Sequence, residues 1–230
     1  MSFTEAEITA ILLSLRIALV AAMASLPFAI AIAWVLARKD FWGKAVLNGL
    51  VHLPLVLPPV VTGYMLLIAF GRRGPAGMAL EACCGIILSF RWTGAVLAAA
   101  IMAFPLMVRA IRLSIEAVDS KIEGAASTLG ASPFFVFLSI TLPLSIPGII
   151  AGFVLGFAKA LGEFGATITF VSSIPGETQT IASAIYGYTQ TPGGEAGTWR
   201  LMIVSIVIAM AALLLSELCA RRISKRGLDL

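Results

Sequence analysis

The sequence predicts an all-α fold, a polytopic bundle of about five transmembrane helices that forms a single domain over residues 1–230. Of the 230 residues, 60% are hydrophobic and only 12% are charged, and the mean hydropathy is +1.01. This composition leaves too little polar surface to cover a soluble globule of that length. Because one spanning helix needs roughly 20 apolar residues, the chain has room for about five or six spans and no large soluble domain.

Two apolar runs open the chain. The first extends without a charged residue from Ile17 to Ala37 and predicts span 1. The second extends from Ala45 to Gly71 but contains Pro54, Pro58 and Pro59. Proline removes a backbone donor and kinks or breaks a helix. We therefore expect span 2 to be discontinuous.

Further apolar runs predict the other three spans, at Thr93–Val108, Ile146–Val171 and Leu201–Ser216. The segment Gly85–Phe90 is too short to cross a bilayer and predicts a re-entrant or interfacial piece. The stretch Ser114–Thr141 contains several charges and predicts a helix-turn-helix outside the lipid.

Positive charge is divided unequally between the two sides that five spans create. One side gathers ten residues, which are Arg38, Lys39, Lys44, Arg109, Arg112, Lys121, Arg221, Arg222, Lys225 and Arg226. The opposite side gathers four, which are Arg72, Arg73, Arg91 and Arg200. Cytoplasmic loops carry the excess of Lys and Arg. We expect a multi-pass protein of a bacterial-type inner membrane, with the N-terminus outside and the C-terminus in the cytoplasm.

No motif in the sequence has the spacing of a catalytic, metal or nucleotide site. The Gly43-Lys44 pair lacks the upstream glycine of a phosphate-binding loop. His52 is the one histidine, and the three cysteines lack metal-ligand spacing. We expect no enzyme, no metal and no cofactor in this chain. The net charge is +4, and the positions of the Lys and Arg residues indicate membrane orientation. We therefore expect no nucleic-acid partner.

One polar stretch carries a family pattern. It reads Glu123-Gly124-Ala125-Ala126-Ser127-Thr128-Leu129-Gly130, and Ile140-Thr141-Leu142-Pro143 follows after nine residues. The pattern resembles the E-A-A-x-x-x-G-x9-I-x-L-P loop of binding-protein-dependent ABC importer permeases. Gly124 stands where the family has its Glu, and Glu123 lies one residue early. The resemblance implies a type I ABC importer permease fold with a cytoplasmic coupling loop at about residues 114–145.

The resemblance implies that this loop docks on an ATPase. The residues expected to do so are Glu123, Gly124, Ala125, Ala126 and Gly130. Small side chains let a partner's backbone come close, and a glycine can end the helix and turn the chain. An ordinary interfacial helix that stops at a glycine is the alternative interpretation of the same residues.

Two further segments narrow the family. The stretches His52–Val61 and Gly162–Val171, continued by Ile174–Thr178, are similar to molybdate importer permeases. The likeness extends from about Leu12 to Glu217. Sulfate importer permeases share the Gly-Glu-Phe-Gly-Ala element, so a sulfate or thiosulfate permease is the alternative. A lower-ranked alternative is a membrane anchor subunit that transports nothing.

Nine residues are expected along the translocation path, which are Pro54, Pro58, Pro59, Thr62, Gly63, Lys159, Glu163, Phe164 and Gly165. Broken helices leave backbone groups that only protein or a water-filled cavity satisfies, although a plain kink is the alternative. Lys159 and Glu163 lie four residues apart on one helical face, where each neutralises the other. The pair either lines the path or simply lowers the cost of burying its charges.

The resemblance also implies the partners. They are a second copy of this chain, a dimer of a separate ABC ATPase that binds ATP and Mg²⁺, and an external oxyanion-binding protein that delivers molybdate or tungstate. All would assemble around the lipid bilayer, and transport would proceed by alternating access. The external loop Ser172–Thr198 either receives the binding protein or folds over the bundle.

Overall fold

The part of the chain that the structure describes consists of helices and their connections and contains no strand. The computed structural model describes residues 3–226, without the side chains of residue 216 and of residues 219–226. The helices follow in this order: α1 Glu5–Arg38, α2 Lys44–Val56, α3 Pro59–Phe70, α4 Pro75–Cys84, α5 Trp92–Glu116, α6 Ser120–Thr128, α7 Pro133–Val136, a π-helix Phe137–Thr141, α8 Leu142–Leu144, α9 Ile146–Leu161, α10 Gly165–Val171, α11 Ile181–Thr189 and α12 Glu195–Arg226.

The number of spans depends on two bends. Among the described residues, α1, α5 and the Glu195–Leu215 part of α12 are long and apolar enough to cross a membrane. Two further pairs qualify as broken spans, with α2 bent from α3 by 111° and Pro133–Leu144 bent from α9 by 70°. If each bent pair crosses once, the count reaches the predicted five.

Small residues hold the long helices together. Ala95, Ala98 and Ala99 of α5 are fully buried in one cluster with Ala18 and Ala21 of α1. Without a strong hydrophobic drive between helices in lipid, small residues let backbones approach and pack by van der Waals contact. The central position of α5 between α1 and α9 follows from this close packing.

On its other side, α5 meets three glycines of α9, which are Gly148, Gly152 and Gly156. A Cβ atom at Gly152 would lie 2.9 Å from Cγ1 of Ile111, and one at Gly156 would lie 2.5 Å from the Met107 side chain. Both positions therefore require the absence of a side chain.

Span 1 begins twelve residues before the predicted Ile17, because α1 includes Glu7 and Arg16. Thr4 and Glu7 form a capping box that satisfies the first backbone donors. Arg16 lies over the Trp92 ring, 3.8 Å from its centroid. Charges with such partners are tolerated inside a span, so a search for charge-free sequence places the helix start too late.

Three other segments correct the predicted boundaries. The predicted continuous span Ile146–Val171 is two helices, α9 and α10, separated at residues 162–164. The region before Gly85–Phe90 contains α4, and the external loop contains α11. Short helices of about ten residues carry too little apolar sequence to register as spans.

The predicted grouping of charges has structural counterparts at the two ends of α1. Arg38, in its last turn, pairs with Glu123 of α6, and Glu7, in its first turn, pairs with Arg200 of α12. The two arginines therefore lie at opposite ends of the bundle, as their predicted sides require. The side chains of the predicted cytoplasmic cations Arg221, Arg222, Lys225 and Arg226 lie outside the described residues.

Candidate functional site

The first broken span turns at the prolines that predicted it. Helix α2 contains Pro54 and ends at Val56. Pro58 then adopts an extended conformation as the N-terminal cap of α3, and Pro59 is its first residue. Proline is well suited to the first helical position because its missing N–H has no partner there in any case. The predicted break in span 2 is confirmed.

The second broken span turns where the sequence predicted a continuous helix. Helix α9 ends at Leu161 with Gly162 as its cap, and Phe164 precedes α10 with φ −130° and ψ −54°. Glu163 lies in this break, beyond the last residue of α9, and it still pairs with Lys159 four residues earlier. No proline marks the break, which is why sequence reasoning missed it.

Two glycines bring the broken spans together. A Cβ atom at Gly63 of α3 would lie 2.5 Å from the carbonyl oxygen of Ala166 in α10. A Cβ atom at Gly165 would lie 2.7 Å from Cβ of Pro59. The short helices α3 and α10 therefore contact each other directly beside the two breaks. Broken helices that meet inside a bundle are a common setting for a substrate path.

Glu163 organises the second break. Its side chain is only 1% exposed, and Oε2 accepts a hydrogen bond from Lys159 Nζ at 2.8 Å. Oε1 accepts the backbone N–H of Ala166 at 3.0 Å. The carboxylate thus caps α10 while the ammonium of Lys159 balances its charge, which lowers the cost of burying it in the membrane.

Two more predicted path residues lie beside these breaks. Thr62 is buried, and its hydroxyl has no hydrogen-bond partner among the described residues. Phe164 packs on Tyr186 of α11, with the ring centroids 5.1 Å apart. This contact ties the second break to the segment predicted as an external loop.

The predicted coupling loop begins with a short surface helix. Asp119 caps α6 by accepting the N–H of Lys121 at 2.8 Å, and none of the nine residues of α6, all of them described, is buried. Gly130 follows with φ +88°. Its N–H donates to Ser127 O, and the next N–H donates to Ala126 O, which is a Schellman motif. Gly130 ends the helix as expected.

The side chain of Glu123 in α6 reaches the bundle. Its Oε2 lies 3.0 Å from Nε of Arg38, and its Oε1 accepts a hydrogen bond of 2.6 Å from the hydroxyl of Thr141. Sequence reasoning did not link these residues, because Arg38 and Glu123 are 85 positions apart. No local signal in the sequence reports such a contact.

The family model for the binding-protein-dependent transport system inner membrane component matches residues 25–226. The range contains both broken spans and α6.

The chain belongs to this family.

Two relatives differ in their sequence identity to this chain. The "Molybdenum transport system permease protein ModB" of Escherichia coli (strain K12) is 61% identical over 221 residues, which cover 96% of each chain. The "Probable sulfate transport system permease protein cysT" of Prototheca wickerhamii is 31% identical over 202 residues, which cover 88% of this chain and 77% of that protein. The predicted resemblance to molybdate importer permeases is confirmed.

The fold has solved counterparts. A chain of the MetNI methionine ABC transporter, solved in inward facing conformations, superposes with a TM-score of 0.73 at 11% sequence identity. The match covers 96% of this chain and 99% of that chain. The predicted all-α type I ABC importer permease fold is therefore confirmed, and the protein is a multi-pass membrane protein.

The end of the bundle away from α6 carries the ion pair of Glu7 with Arg200 and a surface cavity. Oε1 of Glu7 lies 2.7 Å from Nη2 of Arg200, and the Glu7 side chain is fully buried. Beside the pair, Tyr188 packs so closely on Gly197 that a Cβ there would lie 2.8 Å from the ring. A cavity of 590 Å³ opens between the end of α11 and the start of α12. The predicted external loop is thus a folded surface.

Proposed function

We propose that this chain is the membrane-spanning permease subunit of an ATP-driven importer that carries molybdate across the inner membrane by alternating access. The observation that carries the proposal is the 61% identity, over nearly the whole of both chains, to the molybdenum transport system permease of Escherichia coli. Such a subunit must provide a translocation path and must receive movement from an ATPase. The packed pair of broken spans fits the first task, and the exposed helix α6 fits the second.

The drive would act on α6. A separate ATPase dimer, which binds ATP and Mg²⁺, would grip α6 of each of two copies of this chain. Closure of the ATPases would carry α6 inward, and the long helices would tilt as rigid bodies. Gly124 and Ala125 face solvent on α6, and a Cβ at Gly124 would meet no described atom within 4 Å. A partner's backbone has room to come close at this surface.

The path would follow the two breaks. At this position Glu163 would repel a passing dianion if its charge were not balanced. Lys159 Nζ and the N–H of Ala166 both bind its carboxylate, so the lining presents little net negative charge. Backbone groups released at the breaks can hydrate or hydrogen-bond an oxyanion in transit.

Two cations within the long helices, Lys159 of α9 and Arg16 of α1, each have a partner. Lys159 is bound to Glu163, and Arg16 lies on Trp92. Neither forms an open cationic pocket that would retain a dianion. We therefore expect the permease alone to bind molybdate weakly and the external binding protein to supply the affinity. Equilibrium dialysis of the purified permease checks this, and submicromolar binding would contradict it.

The distribution of cationic residues supports one membrane orientation. The end of the bundle that holds Arg38, Lys39 and α6 would face the cytoplasm, because cationic residues collect there. The end with Glu7, Arg200 and the α11–α12 cavity would then face the external binding protein. Cysteine labelling at Leu129 and at Trp199, both exposed, tests the assignment from the two sides of the membrane.

Uptake of labelled molybdate tests the function itself. Cells that lack this chain should recover high-affinity uptake when it is restored with its ATPase and binding protein. Excess tungstate should compete, and excess sulfate should not. Competition by sulfate at equal concentration would favour the sulfate permease alternative, which the 31% identity to a sulfate permease supports far less. Unchanged uptake with or without the chain would leave only an anchoring role.

A further inference from the structure

Helix α6, on which the motor would act, has little apolar attachment to the rest of the molecule. All nine residues of α6 are described, and none is buried. Its apolar side chain Ile122 is 50% exposed, and Leu129, at its end, is 89% exposed. Apolar packing therefore contributes little to holding α6 on the bundle. Polar contacts must set its position.

Those contacts converge on one carboxylate. Nε of Arg38 lies 3.0 Å from Oε2 of Glu123 and 3.2 Å from Oε1. The hydroxyl of Thr141 donates to Oε1 at 2.6 Å. Both oxygens are engaged, and the Arg38 and Glu123 side chains are 19% and 16% exposed. Charge-assisted hydrogen bonds that are shielded from water in this way are the stronger ones.

Arg38 also holds the chain just before α6. Its Nη2 donates a hydrogen bond of 2.8 Å to the backbone oxygen of Val118. The guanidinium therefore joins the end of α1 to the connector and to the first turn of α6 together. A planar, multidentate donor resists rotation about such a joint better than a single ammonium would.

Thr141 extends the contact to a second span. It is buried and ends the π-helix that leads through α8 into α9. Beside it, Phe137 of the same π-helix packs on Trp34 of α1, with ring centroids 5.5 Å apart. The carboxylate of Glu123 thus lies between the last turn of α1 and the entry to α9. A π-helical segment often marks a functional position in a helix.

We propose that Arg38, Glu123 and Thr141 form a transmission joint through which a displacement of α6 reaches α1 and α9. In this assignment Glu123 is a positioning residue that grips the permease itself, and it does not bind the ATPase. The inference rests on the proposed function, since a joint of this kind has a purpose only if a motor moves α6.

The register of the motif agrees with an inward role for Glu123. Gly124 follows it directly in α6. One residue turns a side chain by about 100° around a helix. Glu123 faces Arg38 accordingly, while Gly124 faces open space.

The experiment measures uptake and ATP hydrolysis together in the complete transporter, with its ATPase and binding protein, in proteoliposomes. The variants are Glu123→Gln, Arg38→Gln, Thr141→Val, the reversals Arg38→Glu and Glu123→Arg, and the double reversal. The matched control is Asp40→Asn, because Asp40 pairs with Lys44 at 2.8 Å just beyond α1 but is almost fully exposed. Lys44 beside Asp40 keeps the pKa of that carboxyl below its usual value, so the control removes a real negative charge.

We expect Glu123→Gln to assemble normally but to lower the molybdate carried per ATP hydrolysed by about tenfold, since the lost charge-assisted bonds leave α6 free to move alone. Each single reversal should lower the ratio further, and the double reversal should restore most of it. Thr141→Val should lower it by about threefold through loss of one hydrogen bond. Asp40→Asn should leave it unchanged.

Two results would overturn the joint. One is a Glu123→Gln transporter with the wild-type ratio. The other is a Glu123→Gln chain that no longer copurifies with the ATPase and is not rescued by the double reversal, which would assign Glu123 to the partner. The wild-type transporter tests the proposed function separately. If it carries no molybdate, the proposed substrate is wrong. The ratio of anion carried to ATP hydrolysed is then measured with whichever oxyanion the transporter does carry, so the joint is tested independently of the substrate.

Discussion

The two ends of α1 use the same chemistry under different packing. At one end Glu7 and Arg200 join α1 to α12, and Ala10 and Leu201 beside them are buried in one apolar cluster. At the other end Arg38 joins α1 to α6, which buries none of its own residues. The first pair stabilises a contact that apolar packing also holds, whereas the second sets the position of a helix that has little other attachment. One type of ion pair can therefore serve a joint that is fixed by packing and a joint that is held by polar contacts.

The largest expected effect would break the fixed joint. Arg200→Met removes the counter-charge of the fully buried Glu7 carboxylate and leaves it only the N–H of Thr4, which should lower the free energy of unfolding by about 3 kcal/mol. The matched change Arg38→Met should lower it by less than about 1 kcal/mol, because α6 can detach without opening the core. Thermal unfolding of the purified chain in detergent, followed by circular dichroism, measures both. Equal losses at the two ends would erase the distinction.

A third ion pair lies between the ends and sharpens the comparison. Lys159→Met leaves Glu163 buried without its counter-charge, which should lower the free energy of unfolding by about 1–3 kcal/mol. The double change Lys159→Met and Glu163→Gln should recover stability, because the amide oxygen of Gln can still accept the N–H of Ala166. Thermal unfolding and molybdate uptake are measured in parallel. If the Lys159→Met protein assembles and takes up molybdate like the wild type, the pair of Lys159 and Glu163 has no role in the translocation path.

The contact between the broken spans tests whether the middle of the bundle is as fixed as the end that holds Glu7 and Arg200. Gly63→Ala places a methyl group 2.5 Å from the backbone oxygen of Ala166, so the helices must separate at a loss of about 1–3 kcal/mol. Gly49→Ala is the control, since its Cβ meets no described atom within 4 Å. Uptake and thermal unfolding should change for Gly63→Ala alone. If Gly63→Ala changes neither uptake nor thermal unfolding, the contact between α3 and α10 is loose.

The smallest expected effect concerns the end of α6. Gly130 has φ +88° and open space around it, so Gly130→Ala should destabilise this turn by about 1 kcal/mol through backbone strain alone. Gly124→Ala, within α6, should instead favour the helix by a similar amount. Hydrogen exchange of the α6 amides reports the two opposite shifts. A faster exchange in Gly124→Ala would contradict the helical propensity argument.

Much of the architecture was predictable because lipid makes strong demands on sequence. Apolar runs located the spans, and Pro58 and Pro59 located the first break, since neither effect needs a distant partner. Gly130 was predictable for the same reason. The second break was not, because it depends on Glu163 capping α10 while Lys159 balances its charge.

The sequence by itself determined the membrane class, the family pattern around Glu123–Gly130 and the division of cationic residues, because each is a local property of composition or spacing. Only the tertiary structure decided which charges are paired. Glu7 and Arg200 are 193 positions apart, and Arg38 and Glu123 are 85 apart. A charge buried in lipid requires a partner, but this requirement does not determine which residue the partner is. The partner is chosen by helix packing, and that packing depends on small residues along α1, α5 and α9 whose contacts no local pattern reports.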